Sequence, residues 1–115
     1  LGRDGTLFAF EAPIDLLSYL TLYPEKWNAH SYVACCGPSR VPVLTMLQRM
    51  KTPQAVYLCL DNDRAGHAAS LRMAAQIGEQ FHIASDRLIP EQKDWNDDLC
   101  VLREAPKQGL AMGTR

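Results

Sequence analysis

The sequence predicts an α/β fold, a four-stranded and mainly parallel sheet flanked by helices. Three observations carry this. Short apolar runs of strand-forming residues alternate with stretches of helical periodicity along the chain. The runs at residues 6–10 and 55–60 are apolar at nearly every position, as strands buried on both faces are. A helical stretch separates each of the first three strands from the next, which is what a right-handed crossover between parallel strands needs.

Taken in order, Thr6 to Phe10 reads as the first strand, with Glu11 at its carboxyl end. Pro13 suits the first turn of a helix. Ile14, Leu16, Leu17 and Leu20 form its apolar stripe to about Leu22, and Tyr23-Pro24 stops it. Residues 25–30 are a polar loop. Ser31 to Cys36 reads as the second strand. Gly37-Pro38-Ser39 is a turn, with Ser39 a candidate N-cap and the turn a candidate anion site. Val43, Met46, Leu47 and Met50 recur at helical spacing to about Lys51, and Thr52-Pro53 closes that helix. Ala55 to Leu60 is the third strand.

A long helix is expected from Arg64 to Gln80, with a small inner face of Ala65, Ala68, Ala75 and Gly78 beside Leu71 and Ala74. Phe81 to Ala84 reads as the fourth strand, and residues 85–92 as irregular. The stretch from Lys93 to Asp98 opens a last helix to about Glu104. The expected division is one domain over residues 1–105 and a frayed tail over 106–115. The chain starts without methionine and almost inside its first strand, so a domain cut from a longer protein is expected. This is a Rossmann-like layer arrangement. It has no Gly-x-Gly-x-x-Gly after the first strand and no Gly-Lys-Ser/Thr loop, which argues against dinucleotide and P-loop chemistry.

The 115 residues suffice for one core, and nearly half are apolar. No apolar run approaches the ~20 residues that span a bilayer. The net charge of −1 excludes a strongly basic, free-standing nucleic-acid binder. If the domain meets nucleic acid, a bound metal or a neighbouring domain would have to supply much of the positive potential. Cys35, Cys36, Cys59 and Cys100 show no zinc spacing. The first three fall in or at the end of apolar strands, so buried free thiols and a reducing cytoplasm are expected.

The chemistry lies in the acids. Asp61 and Asp63 follow the third strand at once, at the edge where parallel sheets bind ligands. Two carboxylates so close repel each other, and a hard divalent cation is their natural partner. The bland alternative makes Asp63 a helix cap and Asp61 a solvated turn residue. Glu11 closes the first strand. If the first and third strands are neighbours, Glu11 faces the pair across roughly 5 Å. Such a trio could hold magnesium or manganese with coordination positions left for phosphate or water. Asp15 reads as a first-turn acid favoured by the helix dipole, with a supporting place beside the site as the alternative.

The stretches Phe10-Glu11-Ala12-Pro13-Ile14-Asp15, Leu60-Asp61-Asn62-Asp63-Arg64-Ala65-Gly66 and Lys93-Asp94-Trp95-Asn96-Asp97 together resemble the signature of the Toprim domain. This is the metal-binding module of bacterial DnaG-type primases, topoisomerases and related nucleases. The resemblance spans about residues 6–104 and is closest to primase-like domains of bacterial mobile-element and plasmid proteins. Ala12 stands where the family often has glycine. The resemblance implies a Mg²⁺- or Mn²⁺-dependent module that binds DNA, an RNA primer and nucleotides, and that works with other domains of its parent protein. It makes Asp61 and Asp63 metal ligands and Glu11 a metal ligand or general acid/base. Lys93 and Asp94 become a late catalytic pair, the lysine toward phosphate and the aspartate toward metal.

Arg64 is a further phosphate-binding candidate, set against a simple salt bridge. Two other readings stand beside priming: a nuclease of the same fold, and a non-catalytic DNA-binding or assembly module. A phosphatase-like or receiver-like domain fits less well, because its key aspartate follows an early strand. Trp95 reads as a packing anchor, His67 as a helix-surface residue, and His30 and His82 as structural or exposed. No membrane contact is expected.

Overall fold

The computed structural model describes residues 2–36 and 40–111, with side chains as far as residue 103. The elements are β1 (Thr6–Phe10), α1 (Pro13–Leu22), β2 (Ser31–Ala34), α2 (Val41–Arg49), β3 (Ala55–Cys59), α3 (Arg64–Phe81), β4 (Ser85–Arg87) and α4 (Trp95–Ala111). The sheet order is β2-β1-β3-β4, and every pairing is parallel. Among the described residues no helix is long and apolar enough to cross a membrane.

Alternation along β1 divides the interior in two. Leu7 and Ala9 face one layer with Val56, Leu58, Val43, Leu47, Ala69, Met73 and Ile77. Phe8 and Phe10 face the other with Cys59 and Trp95, against Leu16, Tyr19 and Leu22. So α2 and α3 cover one face, and α1 and α4 cover the other. β1 and β3 are central, and their residues from Leu7 to Phe10 and from Leu58 to Cys59 are buried. Burial on both faces explains why they read as unbroken apolar runs.

Three expectations need correcting. The fourth strand is Ser85–Arg87, where the sequence pattern gives 81–84. Phe81 is instead the last residue of α3. His82 turns the chain out at φ 56°, its N–H donating to the Gly78 carbonyl, and Ile83 drops into the core. That is a helix C-terminus with its hydrophobic contact, which resembles a short strand in one dimension. In α1, Ile14 and Leu17 are exposed, whereas Asp15 and Ser18 are buried. In α3, the inner face is Gly66, Ala69, Ser70, Met73 and Ile77, while Leu71 is exposed.

Smaller differences follow. β2 ends at Ala34, so Cys35 is buried beyond it and Cys36 is exposed, and all four cysteines are free thiols. α2 has Arg40 at its N-cap position, without a side-chain cap. The Ser39 cap and the Gly37-Pro38-Ser39 anion site lie outside the described residues. α4 runs on to Ala111, past the expected end at Glu104 and into the expected tail.

Candidate metal centre

Topology alone selects the place for a site. The chain leaves β1 into α1 on one face and leaves β3 into α3 on the other. A crevice therefore opens between the carboxyl ends of these neighbouring strands. In the β1–β3 register Phe10 pairs with Cys59, so Glu11 and Asp61 emerge side by side at that crevice. Glu11 Oε1 accepts from the Asp61 N–H at 3.4 Å.

Asp15, Asp61 and Asp94 converge there, each offering a carboxylate oxygen within 4.8 Å of the others. They come from the first turn of α1, the end of β3 and the residue before α4. Asp15 is 3% exposed. One of its oxygens accepts from the Asn96 N–H at 3.3 Å, which joins it to the start of α4. Asp94 Oδ1 accepts from the Asp97 N–H at 2.8 Å, so it caps α4. Asp61 Oδ1 is buried with no hydrogen-bond partner among the described residues.

This crowding acts on proton affinity. The Asp61 carboxyl is pushed up to about 6, first by burial and then by Glu11, Asp15, Asp94 and Asp63. Asp15 is also raised, chiefly by burial, with the Asn96 N–H opposing and neighbouring carboxylates adding to the rise. Three helices, α1, α3 and α4, begin at this edge. Their positive N-terminal ends offset part of the negative charge.

The remaining candidates are distributed as follows. Asp63 caps α3, its Oδ1 accepting from the Gly66 N–H at 2.7 Å. Lys93 is exposed, and its carbonyl accepts from the Asn62 N–H at 2.6 Å. That bond ties the aspartate turn to the segment before α4. Arg64 is exposed at the first position of α3. Ala12 has φ −138°, extended backbone that any residue adopts, so alanine in place of glycine strains nothing. Trp95 is an anchor, as expected: it is buried, and its Nε1 donates to the Cys59 carbonyl at 2.9 Å.

Two supports were not visible in the sequence. Gly66 packs so closely that a Cβ there would lie 2.1 Å from the Asp61 carbonyl oxygen. Arg87, on the edge strand β4, holds the aspartate turn from outside. Its Nη1 donates to the carbonyls of Leu60 at 2.7 Å and of Leu58 and Leu88 at 3.2 Å. Its Nη2 donates to the Asp61 carbonyl at 2.7 Å. Nη2 also lies 3.2 Å from His67 Nδ1. Asp15 had a signal available: it lies four residues beyond Glu11, on the helix that starts from the same edge. Arg87 had none, because an arginine in a polar stretch reads as a loop residue.

The donor set suits a hard divalent cation. It is all oxygen, it is anionic, and one buried oxygen lacks a partner. Fold and site together define an α/β module that gathers carboxylates at the switch point of a parallel sheet. The chain belongs to the Toprim-like family, whose profile matches residues 8–99. The match takes in Glu11, Asp15, Asp61, Asp63, Lys93 and Asp94. Among curated proteins no match is found. Membership associates the domain with metal-dependent nucleic-acid processing, and the acidic cluster is in place for it.

Proposed function

We propose that this domain performs Mg²⁺- or Mn²⁺-dependent phosphoryl or nucleotidyl transfer on DNA, as part of a primase-like protein of a bacterial mobile element. The observation that carries the metal dependence is the unpartnered, buried Asp61 Oδ1 among like charges. Such a group is costly unless a cation completes it.

In this reading Asp15, Asp61 and Asp94 hold the cation, with Asp63 a further ligand through the oxygen not used in its cap. When bound, the cation polarises a phosphoryl oxygen and offsets the charge that develops during transfer. The Glu11 carboxylate, beside the Asp61 N–H, takes the proton from the attacking hydroxyl. Lys93 and Arg64, both exposed beside the site, contact phosphate oxygens and orient the substrate.

Isothermal titration with Mg²⁺ and Mn²⁺ tests the metal half of the proposal. Wild type should give saturable heat that Asp61→Asn abolishes; equal heats from both proteins would remove the assignment. Nucleotide incorporation and nicking, measured on the same DNA with and without nucleoside triphosphates, then separate priming from cleavage.

A further inference from the structure

The other end of the sheet carries the opposite charge. A surface hollow of about 500 Å³ lies at the amino ends of β1 and β3, lined by Arg3, Arg49 and Lys51 together with Gly2 and Gly5. The three cations come from separate segments: the lead into β1, the last turn of α2 and the turn before β3. All three are exposed, and among the described residues none pairs with a carboxylate. No acidic residue lines the hollow. The nearest acid in sequence, Asp4, has both oxygens occupied, one by the Thr6 N–H and one by the His30 ring.

The floor is backbone held at fixed spacing. Gly5, at φ 76°, accepts through its carbonyl from the N–H groups of Gln54 and Ala55. A Cβ on Gly5 would lie 2.5 Å from the Thr52 carbonyl oxygen. The Arg3 and Asp4 N–H groups both donate to the Ala29 carbonyl. The segments bearing Arg3 and Lys51 are thereby locked together. A solvated basic face is the plain alternative, and Arg49 alone would suit the C-terminus of α2. That alternative gives no reason for three unpaired cations to share one concavity in a chain of net charge −1.

We propose that this hollow binds phosphates of a nucleic-acid backbone without any metal. The acidic edge repels a polyanion until a cation is bound there, whereas the basic edge attracts it at all times. β1 separates the two by roughly 16 Å at ~3.3 Å per residue. The basic hollow would hold the strand while the acidic edge acts on it.

The test is fluorescence anisotropy of a labelled single-stranded DNA with the 115-residue chain in excess chelator, across a salt series. The chelator keeps the outcome independent of the metal site, so this inference and the proposed function fail separately. Three phosphate contacts predict a slope of about −2 in log K against log salt, or about fifteen- to twentyfold weaker binding for a fourfold rise in salt. Arg49→Glu with Lys51→Glu should abolish binding while circular dichroism stays unchanged. Arg3→Gln should lower the slope by about 0.7, which keeps the test decisive if the double variant misfolds. Arg72→Gln, exposed on α3, should change nothing. No binding by wild type, binding that survives the charge reversal, or an equal loss in Arg72→Gln would overturn the proposal. Displacement of the DNA by millimolar inorganic phosphate at constant ionic strength would assign the hollow to free phosphate and overturn it as well.

Discussion

The interior of the sheet and the rim at its carboxyl edge follow opposite rules. In the interior, neighbours satisfy one another: Phe10 is fully buried among Tyr19, Phe8 and Trp95, and nothing there carries charge. At the rim, just beyond the carboxyl ends of β1 and β3, the carboxylates of Asp15, Asp61 and Asp94 crowd together, with a buried Asp61 oxygen unpartnered. Packing energy from the first region holds the second in a geometry it would not choose alone. Crowded carboxylates with an unpartnered buried oxygen, at the edge where parallel sheets bind ligands, mark a functional site. Among the described residues the other unpartnered buried atoms, Ser85 Oγ and Arg87 Nε, lie on the edge strand β4 and are not crowded by like charge.

The largest effect should come from the interior. Phe10→Ala removes a buried ring from the aromatic layer and should cost about 3–5 kcal/mol, read from urea or thermal unfolding. A loss under ~1 kcal/mol would mean that the layer is less closely packed than the structure shows. Gly66→Ala comes next. Its Cβ would collide with the Asp61 carbonyl, so the turn must shift; about 1–3 kcal/mol of destabilisation should accompany a large loss of cation affinity. An unchanged affinity would show that the aspartate turn tolerates displacement, and would weaken the link between its geometry and metal binding.

The rim predicts the reverse sign. Asp61→Asn removes a charge that its neighbours resist and supplies an amide that can donate to them. In chelator at neutral pH it should stabilise the chain, by about 1 kcal/mol after allowing for solvent screening. The folded carboxyl titrates at about 6, above its ordinary 3.8. Between those pH values the folded chain holds more protons than the unfolded one. The contribution of Asp61 to stability is therefore full below about 3.8 and is lost as pH rises through about 6. Thermal unfolding of wild type and variant across that window should diverge as pH rises. Parallel curves would contradict the crowding.

The same contrast explains what the sequence disclosed. Regions governed by apolar burial were legible: β1 and β3 fall where their runs predict, and their adjacency put Glu11 beside Asp61. Regions governed by polar contacts were not. α1 was phased by its leucines, yet Asp15 and Ser18 face inward because α4 bonds to both, through the Asn96 N–H and the Asn96 side chain. β4 is Ser85-Asp86-Arg87, an edge strand with no apolar residue, set by its pairing with β3 and by the reach of Arg87 to carbonyls at the end of that strand. Its neighbour Ile83 drew the expected strand toward itself because a helix-capping contact and a short strand share one composition. Asp63 satisfies the bland expectation by capping α3, and a cap and a metal ligand can be the same residue when its two oxygens divide the tasks.

The most direct measurement is an anomalous difference map from crystals grown or soaked with Mn²⁺. A peak within about 2–2.5 Å of carboxylate oxygens from Asp15, Asp61 and Asp94 is predicted. A map with no peak between those residues at saturating Mn²⁺, or with its peak elsewhere on the molecule, would contradict the assignment of this edge as a metal centre.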